Sequence, residues 1–148
     1  MTPVRNTEQE TISMYGPYYN CRVNFTINSF QSNWLNIFEI GDGSRGDRHP
    51  ALYLNPNNGV QGYSYGRGGQ KNLWIELDTP YVVEMSQKNV NGDVKFSFIF
   101  NEIERMWYEN VQINQLGLKD SVKVFFSNNH NDAADVTIHS FFLEAWSD

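Results

Sequence analysis

The chain has 148 residues, of which 40% are hydrophobic and 15% aromatic, with a formal net charge of -6 and a pI near 5.0. That length suits one domain able to bury roughly two thirds of its unfolded surface. The acidic balance, without any run of Lys or Arg, argues against a nucleic-acid partner, and no apolar run approaches the ~20 residues of a membrane-spanning helix. Cys21 is the only cysteine, which excludes an internal disulfide and a cysteine-based metal site.

Residues 1–10 read as a flexible lead-in and 11–148 as one domain. The start is polar and lacks the apolar core of a signal peptide, so a secreted protein would be present here in its mature form, with Met1 added. From Asn20 to Phe30, Cys21, Val23, Phe25 and Ile27 alternate with Arg22, Asn24, Thr26 and Asn28. A period of two marks a strand with one dry face, which makes Cys21 a buried, inert thiol. Trp34–Ile40 is apolar on both faces and predicts a central strand. Gly41–His49 is a glycine-rich charged loop running to Pro50. Ala51–Leu54 is a short strand closed by the turn Asn55-Pro56-Asn57-Asn58-Gly59. Val60–Tyr65 and Leu73–Leu77 are strands on either side of Gly66-Arg67-Gly68-Gly69.

The clearest signal lies between Tyr81 and Phe100. Tyr81, Val83 and Met85 alternate with Val82, Glu84 and Ser86; Val94, Phe96, Phe98 and Phe100 alternate with Lys95, Ser97 and Ile99. Asn91-Gly92 between them tolerates the positive φ of a tight hairpin turn. Two strands alone are marginal in water, so this aromatic face needs a second sheet to lie on. After a turn at Asn101–Glu102, Ile103–Glu109 continues the pattern, Val111–Leu118 is weakly patterned, and Val122–Phe126 and Val136–Trp146 close the chain as strands. With about eleven to thirteen short strands and no amphipathic helix, the fold class is all-β, an antiparallel two-sheet β-sandwich of jelly-roll type.

Three stretches carry a family resemblance: Gly46-Asp47-Arg48-His49-Pro50-Ala51; Tyr81-Val82-Val83-Glu84-Met85-Ser86-Gln87 with Lys95–Glu102; and Val122–Ser127 with Asp132-Ala133-Ala134-Asp135 and Ile138. In order and spacing they resemble the laminin-G-like, concanavalin-A-like jelly rolls found as single animal extracellular modules. The turn at Asn101 lacks the glycine usual in those modules. The resemblance implies a secreted or extracellular recognition module rather than an enzyme, and it names no ligand.

Several residue sets compete for that role. Carbohydrate recognition needs a flat aromatic platform for C–H faces and planar amides or carboxylates for hydroxyls. Tyr63 and Tyr65 share a strand face beside Arg67, near Asn57, Asn58 and Gln61, with Trp74 and Trp107 as further platforms. Asp47 and Arg48 extend the set from the charged loop. Calcium is the cofactor that related sandwiches suggest, since Asp and Asn oxygens suit a hard cation. Asp42, Asp47, Asp132 and Asp135 are its candidate ligands, although Asp and Asn are also ordinary turn formers. His49, His130 and His139 are too scattered for a zinc site. Arg45-Gly46-Asp47 is the tripeptide that integrins read on a loop tip, and Asn24-Phe25-Thr26 is an N-glycosylation sequon. Glu102 and Glu104 are spaced as paired glycosidase acids would be, but they lack the third acid of that pattern. The leading expectation is therefore lectin-like carbohydrate binding, with a glycan or extracellular protein as partner. The alternative is an adhesive or structural module that self-associates as a homo-oligomer, and a jelly-roll glycosidase comes third.

Overall fold

The fold is given by a computed structural model. It describes residues 8–15, 18–41, 50–64, 67–68, 73–108, 119–125 and 132–146. For residues 8–15, 64, 67–68, 93, 104–108, 119–123, 125 and 132–133 the description is of backbone alone. Within it run thirteen strands: β1 (Glu8–Tyr15), β2 (Tyr18–Ile27), β3 (Leu35–Gly41), β4 (Ala51–Leu54), β5 (Gly59–Ser64), β6 (Arg67–Gly68), β7 (Leu73–Trp74), β8 (Pro80–Val90), β9 (Asp93–Phe100), β10 (Ile103–Tyr108), β11 (Lys119–Phe125), β12 (Asp132–Ala133) and β13 (Val136–Trp146). No helix occurs among the described residues. The expected all-β sandwich is what the chain forms.

The strands make two sheets. The larger follows the order β1-β11-β3-β4-β5-β6, with β7 also on β5 and β12 on β3; the smaller follows β10-β9-β8-β2-β13. All pairings are antiparallel except the short β12–β3 contact. The β8–β9 hairpin closes at Asn91-Gly92, whose φ values of 54° and 91° are the left-handed pair that a two-residue hairpin turn requires. The next turn reaches the same left-handed region without glycine, at Asn101 (φ 48°) and Glu102 (φ 69°). It is held by Asn101 Oδ1, which accepts from Val82 N at 2.9 Å. β1 begins at Glu8, so the sheet takes in the last three residues of the segment expected as a lead-in. Its partner is β11, from Glu8↔Phe125 to Tyr15↔Lys119.

The core lies between the sheets. Tyr19, Cys21, Val23, Phe25 and Ile27 of β2 meet Val83 and Met85 of β8 and Phe96, Phe98 and Phe100 of β9 within one cluster, with Phe38, Ile40, Leu52, Leu54 and Val60 from the larger sheet. Phe38 crosses the interface to Phe141, edge to face at 5.3 Å. At Gly62 the sheets approach closely: a Cβ there would lie 2.5 Å from the Phe98 ring and 2.8 Å from Met85 Sδ. Cys21 is buried in this cluster, and desolvation pushes its thiol far above the ordinary range, so the reactive thiolate is suppressed. Tyr81 stacks on Phe100 at 5.3 Å while its hydroxyl accepts from Glu76 N at 2.8 Å, which ties the chain before β8 onto the hairpin.

Candidate functional site

Because Gly62 faces the smaller sheet, the pairings of β5 determine which face every neighbour takes. Leu52 opposes Gly62 and Phe38 opposes Leu52, so these point into the core. The alternate positions point away from it: Asn36 and Glu39 on β3, Ala51 and Tyr53 on β4, Gly59, Gln61 and Tyr63 on β5. Trp74 pairs with Gly59 and joins the same face. This outward face of the larger sheet carries the candidate site.

β3 explains why the face has this chemistry. A register shift between Asn36 and Phe38 places one extra residue, a β-bulge, in the strand. With that residue absorbed, Leu35, Ile37, Phe38 and Ile40 all reach the core cluster, while Asn36 and Glu39 are turned the other way. The strand expected to be apolar on both faces is indeed central and fully buried, but its second face is polar. Asn36 Nδ2 donates to Phe38 O (3.1 Å) and Leu52 O (3.4 Å), serving carbonyls at the bulge. Its Oδ1 is buried with no hydrogen-bond partner, a feature that costs about 1–3 kcal/mol and calls for a reason. Glu39 is equally buried, with Tyr53 Oη donating to its Oε2 across 3.5 Å.

Above these groups the rings of Trp34, Tyr53 and Tyr63 form a connected row. Trp34 meets Tyr53 edge-on at 6.4 Å, and Tyr53 meets Tyr63 edge-on at 5.3 Å. Tyr53 is only 4% exposed and holds the other two in place, whereas Trp34 is 38% exposed and Tyr63 half-buried. Tyr63 Oη donates to Gln61 Oε1 at 3.1 Å, orienting that carboxamide beside the ring. The row thus offers apolar ring faces next to an amide and a phenol.

The sequence candidates are placed unevenly. Tyr63 and Gln61 lie in the row. Asn57 and Asn58 lie in the β4–β5 turn, where Asn55 Oδ1 accepts from Asn57 N (2.8 Å) and Gly59 N (3.1 Å) and Asn58 takes φ 62°. Asn58 O accepts from Ile75 N at 3.3 Å, which fastens the turn beside Trp74. Tyr65, Asp42, Asp47 and Arg48, and with them the Arg45-Gly46-Asp47 tripeptide, lie outside the described residues, as do His49 and His130. Arg67 and Asp132 fall on β6 and β12, where only the backbone is described. Asp135 is engaged locally: Oδ2 accepts from Ser29 Oγ at 2.7 Å and Oδ1 from Asn28 Nδ2 at 3.3 Å, clamping the exit of β2 to the start of β13. Among the described residues no group of three metal-ligating side chains comes together.

Two further readings change with the structure. Glu102 sits exposed in a turn rather than in a strand, so the spacing to Glu104 does not put the two on one strand face. Asn24 of the sequon does lie on the outward face of the smaller sheet, but half-buried between Val82 and Ser140, with its Oδ1 buried and unpartnered. Trp34 and Tyr53 escaped the sequence reading because both sit in apolar runs, where an aromatic residue looks like core. The one available signal was the Asn36/Glu39 spacing, which fits a bulge.

No family model matches the chain, and no curated protein sequence matches it. Solved structures do. A Trypanosoma rangeli sialidase in complex with sialic acid matches with a TM-score of 0.63 at 16% identity, over 85% of this chain and 20% of that one. A heptameric pentraxin of Limulus polyphemus matches with a TM-score of 0.63 at 13% identity, over 99% and 76%. An alginate lyase of polysaccharide lyase family 7 matches with a TM-score of 0.53 at 13% identity, over 92% and 62%. The chain therefore spans about a fifth of the sialidases it matches. All these neighbours are jelly-roll, concanavalin-A-like β-sandwiches, and that is the fold of this chain.

Proposed function

We propose that the chain is a carbohydrate-binding module of laminin-G-like, extracellular type, without catalytic activity of its own, and that it takes its ligand on the outward face of the larger sheet. The observation that carries this reading is the ring row Trp34–Tyr53–Tyr63 laid beside Gln61 and above the buried amide of Asn36. A ring face offers dispersion contact to sugar C–H groups, and an oriented carboxamide and phenol serve hydroxyls. The neighbours support it only as company in fold, since one is a sialidase holding sialic acid and another an alginate lyase.

The decisive test is a glycan array, followed by calorimetric titration of any sugar that binds. Tyr63→Ala is expected to weaken binding by about tenfold or more while the protein stays folded. Absence of binding to any glycan would overturn the reading. In that event a dimer by light scattering would favour self-association along β13, an eleven-residue strand paired on one side with β2, whose Phe142 is 51% exposed.

A further inference from the structure

Four positions stand in one line across the strands at the turn end of the outward face. Leu35 is paired with Leu54 and Leu54 with Val60, so position 34 stands opposite 55, and 55 opposite 59. Gly59 is paired in turn with Trp74. The line reads Trp34, Asn55, Gly59, Trp74. Three strand spacings separate its ends, roughly 14 Å.

The middle of this line is low. Gly59 has no side chain, and the Asn55 side chain is folded back into its own turn, accepting from Asn57 N and Gly59 N. Both ends are high. Trp34 reaches the face beside Tyr53, and Trp74 is 65% exposed. Large indoles are ordinarily well buried, and both of these stand on backbone tied to the sheet. Trp34 packs on the buried Tyr53, while Trp74 is paired into the sheet and followed by the buried Ile75, whose N donates to Asn58 O. The line is thus a trough, low at Asn55 and Gly59, between two exposed indoles, with Asn57 and Asn58 in the adjoining turn.

We propose that this trough holds an internal segment of a neutral polysaccharide, lying across the strands with one sugar ring on Trp34 and another on Trp74. The proposal rests on the reading of this face as a glycan site and adds the ligand's form: a polymer stretch rather than a single terminal sugar. Two platforms this far apart exceed what one sugar ring can cover. Neutrality follows from the chain's net charge of -6, which repels a polyanion, and from a face whose described polar groups are amides and phenols beside a buried Glu39.

The test is a length series. Cello-, laminari- and β-manno-oligosaccharides of increasing length are titrated calorimetrically, with alginate oligosaccharides as the acidic arm. Affinity for one neutral series is expected to rise by about tenfold once the chain reaches from one indole to the other. Trp74→Ala is expected to abolish that gain, and Trp74→Tyr to restore part of it. Because Trp74 is mostly exposed, the melting temperature serves as the folding control for these variants. Affinity independent of length, or a gain that survives Trp74→Ala, would overturn the polymer proposal while leaving the glycan reading intact if Tyr63→Ala still weakens binding. Tighter binding of the alginate series would overturn the neutral assignment. No binding by any probe here or on the array would remove both.

Discussion

The two sheets share one core but turn very different faces away from it. On the smaller sheet the outward positions are Asn20, Arg22, Asn24 and Thr26 of β2, Val82, Glu84, Ser86 and Lys88 of β8, and Lys95, Ser97 and Ile99 of β9, with no aromatic ring among them. They answer one another locally: Arg22 pairs with Glu84 at 3.8 Å, and Thr26 Oγ1 meets His139 Nε2 at 2.7 Å. On the larger sheet the same alternate positions hold Asn36, Glu39, Tyr53, Gln61, Tyr63 and Trp74. There Asn36, Glu39 and Tyr53 are buried, although they point away from the core. Asn24 and Ser86 on the smaller sheet are also partly or wholly buried, so what sets the larger sheet apart is the buried carboxylate and the row of three rings. The contrast in aromatic content is what supports placing the proposed contact surface on the larger sheet.

That contrast can be broken most forcefully from beneath. Gly62 lies between Gln61 and Tyr63 on β5, and Gly62→Val would drive its side chain into the rigid Phe98 ring. A loss of about 3 kcal/mol is expected in urea unfolding, together with weakened ligand binding as β5 is displaced. A change below about 0.5 kcal/mol would mean that the sheets do not set the height of the site. Tyr53→Ala comes next, because it removes the ring on which both Trp34 and Tyr63 lean. It is expected to cost about 3 kcal/mol and to abolish binding. Tyr53→Phe keeps the ring and loses the long 3.5 Å contact from the hydroxyl to Glu39, so it should stay within about 1 kcal/mol of the parent and bind normally. Binding lost in Tyr53→Phe would instead make the hydroxyl part of the recognition chemistry. The smallest effect belongs to the other face. Arg22→Gln breaks a partly exposed ion pair and is expected to change stability by less than about 0.5 kcal/mol, with no change in affinity. A clear loss of affinity there would move the site to the smaller sheet.

The sandwich was readable from residues alone because its signals are local. Strict alternation in Val94–Phe100, the Asn91-Gly92 corner and the Asn55–Gly59 turn each need only a few neighbours in sequence, and each appears where the pattern places it. Even the turn at Asn101–Glu102 was readable, although it uses asparagine and glutamate in a conformation that glycine adopts more cheaply. The site was not readable in the same way. Alternation says that a strand has two faces but not what each face meets, and β3 carries a bulge that interrupts the alternation altogether. Tyr53 sits in the run Ala51-Leu52-Tyr53-Leu54, where nothing in sequence separates it from core. It becomes part of a platform only because β3 and β5 bring Trp34 and Tyr63 to its two sides. Residue order established two layered sheets and their turns; long-range pairing alone decided which aromatic rings fill the interior and which stand together outside it, because that choice depends on the register between strands distant along the chain.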